Sequence, residues 1–285
     1  MSCVERQNHG ERIVLTVTWK AYLLVFAAGL VAAFGTSLGA IPLFWLDDVN
    51  DRLDVGLWGF AGGLMASASI FGLLFEAYKH HSSIWLTGGG FVVGVLLVVV
   101  AHGVVERFDD YRPADMAEGD FRTMLNIVAV LFVHSFPEGV AIGVSFAELD
   151  ALQHGQGFHV LGFAVPLVAI VLTGSLAIHN VPEGIATAIP MREQMSNGEM
   201  WGTAFFTSIP QPVGAVVAFY FVRLFIQFLG FGYGLAAGAM LYLVADDVLP
   251  EGLEAGEELP ANGRSYLAAG AFVGFVAMVP LVFVL

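Results

Sequence analysis

The chain has 285 residues, of which 57% are hydrophobic and only 13% charged, and its mean hydropathy is +0.77. A soluble domain carries about 25% charged residues, so the composition excludes an ordinary soluble protein and predicts a membrane protein. The net charge is −14, and no nucleic-acid partner is expected. The one cysteine, Cys3, excludes an internal disulfide framework and a CxxC metal or redox motif.

Residues 1–20 are predicted to form an N-terminal tail, and residues 21–285 a single transmembrane domain. The first apolar run is far longer than the roughly 7–15 residues of a signal-peptide core, so we expect it to be a membrane span. A span needs about 20 mostly apolar residues. Eight runs meet this requirement, in chain order 21–46, 55–77, 84–105, 122–146, 160–190, 203–228, 231–249 and 266–285.

The runs are continuous and do not alternate, which favours helices over the strands of a barrel. Small residues in the second and third runs are predicted to allow close helix packing: Gly62, Gly63, Ala66, Ser67, Gly88, Gly89 and Gly90. The weakest boundary lies between the sixth and seventh runs. Only Gly230 and Gly232 interrupt the apolar sequence there, so a count of seven spans stays open. The predicted fold class is an all-α membrane protein that crosses the lipid bilayer of the cell membrane several times.

The loop charges do not orient the chain, because the basic residues divide almost evenly between the two sides of the membrane. Most of the 25 acidic residues lie in the four loops opposite the N-terminus. This asymmetry favours a solvated acidic surface, with weak cation binding at a pore exit as the alternative.

Two similar segments place ionisable residues inside apolar runs: HSFPEGVAIG begins at His134 and HNVPEGIATA at His179. In each, a glutamate follows the histidine by four residues, so the two side chains share a face of a helix. Two such helices side by side would offer two imidazoles and two carboxylates. This set of donors suits zinc, and it would also accept iron, manganese or cadmium.

The prolines of the two segments are expected to bend their helices. Pro137 and Pro182 cannot donate a hydrogen bond to the preceding turn, and each should kink the helix there. Ionisable side chains cost several kcal/mol inside hydrocarbon, and a functional role is the default expectation for them. The duplicated histidine, proline and glutamate therefore predict a metal site within the membrane.

The motifs HSFPEG and HNVPEG resemble the fourth- and fifth-span signatures of the ZIP (Zrt-, Irt-like) family of metal transporters. Further segments resemble its first, second and seventh spans: GTSLGAIP at 35–42, GGLMASASIFGLLFEA at 62–77 and MLYLVADDVLPEG at 240–252. The resemblance implies eight spans in a three-plus-two-plus-three arrangement with inverted repeats and both termini outside the cytoplasm. It also implies uptake of divalent metal into the cytoplasm.

The family's primary site, carried over by position, is intact and consists of His134, Glu138, His179 and Glu183. Its adjacent second site falls on Ser135, Asn180 and Gln211, where the family has an asparagine, a polar residue and a glutamate. Only Asn180 keeps its usual type. The loss of one carboxylate and one amide carbonyl predicts that a second ion is weakly bound.

Two acidic residues near the end of the seventh run are expected on the exit path. Asp247 matches a carboxylate that the family places toward the cytoplasm, and Asp246 stands where a histidine is often found. His102 and Glu106 form another pair four residues apart, which is either a coincidence at a span boundary or an exit-side ligand pair. The remaining histidines are ordinary loop residues or collect metal at the entrance: His9, His80, His81, His154 and His159.

The sequence therefore predicts a transporter, with a divalent metal ion, zinc before the others, as its substrate, and with a homodimer as an expected assembly. There is no GxxxxGK[ST] nucleotide loop, so transport should follow the ion gradient, and proton exchange is an open alternative. An intramembrane metal hydrolase is a second hypothesis, although HExxH is absent and no enzyme activity is expected. A metal sensor that conducts nothing is a third.

Overall fold

The computed structural model describes residues 19–45, 50–109, 134–147, 149, 158–189, 191 and 195–282. Most of these residues are helical. The longer helices are α1 Trp19–Ala40, α2 Asp51–Ser67, α3 Ile84–Asp109, α4 at 134–145, α5 Leu167–Ala188, α6 Asn197–Thr207, α7 Pro210–Leu224, α8 Leu229–Leu243 and α9 Arg264–Val282. Residues 131–133, before α4, lie outside the described part.

Six helical runs in the described part are long and apolar enough to cross a membrane. They are Trp19–Phe44, Asp51–Lys79, Ile84–Val104, Leu167–Ile185, Asn197–Leu224 and Ile226–Glu254. These runs correspond to predicted spans one, two, three, five, six and seven. The predicted fourth span is described only from residue 134 onward, and α9 covers most of the eighth. The prediction of a mainly α-helical membrane protein is confirmed, and the count of eight stays a prediction.

The fifth helix begins later than the predicted span at 160. Residues Phe158–Val160 (β1) and Phe163–Val165 (β2) form an antiparallel hairpin, with Gly162 in its turn at φ 88°. Glycine adopts this left-handed backbone without the Cβ clash that other residues meet. Pro166 then precedes the first turn of α5, where its missing N–H leaves no helical hydrogen bond unmade.

The sixth and seventh spans are separate helical runs, and their boundary differs from the glycines that the sequence indicated. The α7 helix ends at Leu224 and is followed by Phe225, whose φ of −130° and ψ of 60° are not helical. A 3-10 turn, Ile226–Phe228, leads into α8. Gly230 and Gly232 lie inside α8, where they contact neighbouring helices.

Two of the described spans contain a π-helical segment. The α2 helix continues through Ala68–Leu74 into Phe75–Lys79, and α8 continues through Val244–Val248 into Leu249–Glu254. The second segment carries Asp246 and Asp247. π-helical turns insert an extra residue and commonly occur at functional sites. The C-terminal part of the seventh span is therefore a candidate functional segment.

Glycines bring pairs of helices into backbone contact. A Cβ on Gly35 would overlap the carbonyl oxygen of Ala177, and one on Gly184 would overlap that of Thr36, so α1 and α5 approach closely from both sides. Comparable contacts join α4 with α7, α2 with α9, and α3 with α8, and they involve Gly139, Gly143, Gly59, Gly63, Gly90, Gly94, Gly234 and Gly238. The predicted packing role is confirmed for Gly63 and Gly90, whereas a Cβ on Gly88 or Gly89 would meet no atom within 4 Å.

These contacts define two sets of helices. The first helix group contains α1, α4, α5, α6 and α7, and the second helix group contains α2, α3, α8 and α9. Where glycines face the other group, the nearest atoms belong to side chains: Gly72 meets Leu172, and Gly232 meets Val144. The groups are thus joined internally by backbone contacts, and these two glycines meet the opposite group through side chains.

Candidate metal site

Four buried ionisable residues meet where α4 packs beside α5. His134 and Glu138 lie one helical turn apart on α4, and His179 and Glu183 are spaced identically on α5. Each of the four is at most 5% exposed. Both helical segments continue past their prolines, since Pro182 lies inside α5 and Pro137 inside 134–145. The structure therefore brings together all four residues that the repeated motif predicts.

The carboxylate of Glu138 is at the centre of this cluster. Its Oε1 lies 2.9 Å from Nε2 of His179 and 3.8 Å from Nε2 of His134. Nε2 of His179 is also 3.9 Å from Oε2 of Glu183. In a tetrahedral zinc site with bonds of about 2.0 Å, neighbouring ligand atoms are about 3.3 Å apart. The observed separations bracket this spacing.

Three of these residues already have ligand atoms within mutual reach. One ligand atom each from His134, Glu138 and Glu183 lies within 4.8 Å of the others, and His179 contacts this group through Glu138. Two carboxylates carry a formal charge of about −2 when ionised, and buried charges are costly unless they are paired or coordinate a metal. A divalent cation supplies the matching charge.

Asp247 orients one of the two imidazoles. Its Oδ2 lies 3.3 Å from Nδ1 of His134, while Nε2 of the same ring points toward Glu138. A carboxylate that accepts the N–H of one ring nitrogen fixes the tautomer and leaves the other nitrogen free to bind a metal. Asp247, predicted on the exit path, therefore lies directly beside the buried site.

His102 lies between Asp247 and the more exposed Asp246. Its Nδ1 lies 3.2 Å from Oδ2 of Asp246, and its Nε2 lies 3.5 Å from Oδ2 of Asp247. These three residues form the second of two groups with metal-ligand spacing within the described ranges. The side chain of Glu106, the predicted partner of His102, lies outside the described residues. Sequence reasoning missed the contact with Asp246, because the two residues are 144 positions apart and only the packing of α3 against the seventh span joins them.

The residues predicted for a second ion are also buried beside the site. Gln211 donates a hydrogen bond from its amide to Oε2 of Glu138, and Asn180 donates from Nδ2 to the carbonyl oxygen of Ala32 over 2.9 Å. Neither amide oxygen has a hydrogen-bond partner in the part of the chain that the structure describes. Ser135 is 1% exposed. These residues add oxygen donors next to Glu138 and add no charge.

The loop histidines do not assemble a metal group from the described residues. His80 lies 3.5 Å from Glu76 one turn before it, and His159 is exposed on β1. His81 occupies the turn before α3 with φ 50°. His9 and His154 lie outside the described residues, so entrance binding that involves them stays a prediction.

Comparison with known proteins identifies relatives, although no protein-family model matches the chain. The zinc transporter ZupT of Corynebacterium efficiens is 27% identical over 281 residues, which cover 91% of this chain and 96% of that protein. The zinc transporter ZIPB of Bordetella bronchiseptica is 29% identical over 262 residues, or 88% of this chain and 77% of that protein.

A provisionally named zinc transporter of Arabidopsis thaliana is 31% identical over 251 residues, which cover 87% of this chain. The matched region spans only 36% of the plant protein, whereas the bacterial relatives are matched over most of their length. All three relatives are named as transporters and none as an enzyme. HSFPEG and HNVPEG lie on two packed helices, and the chain is similar to these zinc transporters along most of its own length.

Proposed function

We propose that the chain carries divalent transition-metal ions across the membrane into the cytoplasm, with zinc as the preferred substrate and iron, manganese or cadmium as alternatives. The ion binds His134, Glu138, His179 and Glu183. The observation that carries this proposal is the position of Glu138, whose Oε1 lies between the imidazoles of two different helices. The names of the relatives supply the substrate class.

The ligands of the site allow an ion both to bind and to leave. Imidazole nitrogens and carboxylate oxygens replace the water that a dication loses when it enters an apolar protein. Both types of ligand also bind protons, so metal release can be assisted by protonation. No reaction at a substrate bond is needed, and we assign no enzyme activity to the chain.

The exit path runs through Asp247 and Asp246. Asp247 contacts His134 in the buried site, and its side chain is 19% exposed, whereas the side chain of Asp246 is 43% exposed. His102 contacts both carboxylates. An ion that leaves the four-ligand site thus meets a second set of donors that is progressively closer to solvent.

The membrane arrangement completes the proposal. We infer eight spans in a three-plus-two-plus-three arrangement with inverted repeats, in a multi-pass protein of the cell membrane that assembles as a homodimer. The glycine contacts of the described helices support close packing of the spans. Cysteine accessibility of loop positions from each side of sealed vesicles tests the count and the orientation.

Transport is tested with the purified chain in sealed liposomes. Zinc, iron, manganese or cadmium is added outside, and the accumulated metal is measured inside. We expect saturable zinc accumulation that is lost in Glu138→Gln, which keeps the size of the side chain and removes its charge. Ser69→Ala is the matched control, because Ser69 is also fully buried in a span and donates only to the carbonyl of Met65.

The rival functions give different results in the same experiment. A metal-dependent hydrolase would cleave a substrate without moving the ion, and a sensor would bind the ion without accumulation in the lumen. Either result in the parent chain would overturn the proposal.

A further inference from the structure

A cavity of about 510 Å³ lies between α3, α4, α7 and α8, and none of the four cluster residues lines it. We call it the lateral groove. Its lining consists of leucine, valine, phenylalanine, alanine and glycine residues, so no side chain offers a hydrogen bond to an occupant. Ligand pockets of about 300–1,000 Å³ normally place at least a few polar groups among apolar ones. The groove therefore fits a purely hydrocarbon occupant.

The groove opens on the outer surface of the spans. Leu97, Phe221 and Phe225 line it, and all three are among the exposed large apolar residues. Leu97 belongs to a membrane-span helix, and Phe221 lies in the last turn of another. The medium that reaches this opening is thus lipid hydrocarbon, and its source is the surrounding bilayer.

The length of the groove matches one leaflet. Phe136 and Val144 line it on α4 and are eight residues apart, which corresponds to about 12 Å along a helix. Half of the hydrocarbon core is about 15 Å deep. The groove extends from Phe136, which lies between the metal-site residues His134 and Glu138 on α4, to Phe225, the residue after α7.

The positively charged side chain of Arg223 lies near the Phe225 end of the groove. Arg223 follows the lining residue Val222, and its Nη1 donates to the carbonyl oxygens of Ala147 and Leu149 at 3.2 and 3.1 Å. These bonds hold the guanidinium beside the end of α4, and no carboxylate within the described ranges forms an ion pair with it. The remaining guanidinium N–H groups can bind a phosphate, for which arginine geometry is well suited.

We propose that the lateral groove binds one acyl chain of a bilayer phospholipid and that Arg223 holds the phosphate of that lipid. Two walls of the groove come from the first helix group, through Phe136 and Val217, and the others come from the second, through Leu97 and Leu235. The bound chain fills space between the two groups. This inference does not depend on the metal site or on transport.

The proposal is tested with a photoreactive lipid. The full chain is reconstituted in phosphatidylcholine nanodiscs that contain a small fraction of phosphatidylglycerol with a diazirine in its acyl chain. After illumination, attachment sites are mapped by peptide mass spectrometry. We expect them to concentrate on the peptides that contain Val140 and Val144 and on those around Phe221. Attachment spread evenly over exposed helices, α9 included, would overturn the proposal.

Variants that fill the groove make the test specific. Leu97→Trp places a large ring in the opening, and the groove attachments should be lost. Val100→Trp is the matched control, because Val100 is exposed on the same helix and does not line the groove. Ala218→Phe fills the groove from α7 and serves as an independent second variant. Attachments that persist in both filled variants would show that the lipid binds elsewhere.

The phosphate is tested with a diacylglycerol probe that has the same photoreactive chain and no phosphate. Phosphatidylglycerol should label the groove more strongly than this probe. The preference should disappear in Arg223→Gln and persist in Arg223→Lys, which keeps the charge. Equal labelling by the two probes in the parent chain would overturn the assignment of a phospholipid.

Discussion

The side-chain amide of Gln211 donates a hydrogen bond to Oε2 of Glu138, and it thereby occupies one of the two oxygens of the central carboxylate of the site. The other oxygen faces His179 and His134. Gln211 is neutral, so Glu138 and Glu183 alone supply negative charge to the buried cluster. The site matches the charge of one dication.

We therefore expect one tightly bound zinc ion per chain in this cluster, and a second in Gln211→Glu. Two dications about 4 Å apart repel each other by many kcal/mol at low effective dielectric, and an added carboxylate screens that repulsion. Metal content after desalting measures the stoichiometry. Gln211→Met is the matched control and should stay at one ion. Two fully occupied central ions in the parent chain would contradict the prediction.

Removal of a ligand from α5 should abolish transport and leave the fold intact. His179→Ala and Glu183→Ala each delete one of four donors. Since changes to residues that merely support ligands cost about 10–100-fold in metal affinity, we expect uptake to fall by at least about 100-fold. Liposome uptake measures the loss, and size-exclusion elution with helical circular dichroism checks the fold. Uptake at the parent rate in either variant would refute the site assignment.

Asp247→Asn should weaken zinc binding through His134. The asparagine keeps the size of the side chain but cannot hold the imidazole N–H as strongly as a carboxylate does, so we expect a loss of about 10–100-fold in zinc affinity. Calorimetric titration of the purified chain measures it. Asp246→Asn is the control, because Asp246 contacts His102 rather than His134. An equal loss in both variants would show a general charge effect instead of imidazole orientation.

Uptake should decline as the external pH falls from 7.5 toward about 5. Protons compete with the metal ion for the imidazole nitrogens of His134 and His179, and a protonated imidazole cannot bind metal. The sign is therefore loss of transport with acidity. Initial rates of zinc uptake at fixed free zinc test it. A flat profile would argue against histidine ligands for the ion in transit.

Gly184→Ala should destabilise the protein. The new Cβ would overlap the backbone carbonyl of Thr36 on α1, and such overpacking costs about 1–3 kcal/mol or more. Thermal unfolding in detergent should show a lower midpoint. Gly174→Ala on the same helix is the control: its Cβ meets no atom within 4 Å, and alanine is the better helix former. A midpoint unchanged in Gly184→Ala would mean that the two helices can separate freely.

The sequence predicts the central cluster because the ligands of each helix are close together in the chain. In each motif, histidine and glutamate are one helical turn apart, and the duplication indicates that two helices contribute equally. His102 has no such signal, since its contact with Asp246 depends on helix packing. The hairpin at 158–165 was likewise missed, because a short apolar run does not distinguish a strand from a helix. The break at Phe225 carries no glycine or proline, and the polar residues on either side of it, Arg223 and Gln227, both lie inside the predicted sixth span.

The glycine contacts have a consequence for how the protein can change shape. Where backbones touch at Gly35 and Gly184, one helix cannot slide along its partner without a collision of main-chain atoms, so each pair keeps its register. Side-chain contacts such as Gly72 with Leu172 can exchange by rotamer changes. The two helix groups can therefore move relative to each other more easily than the helices within one group can. The four metal ligands belong to the first group, whereas Asp247 belongs to the second, so such a movement would alter the contact that orients His134.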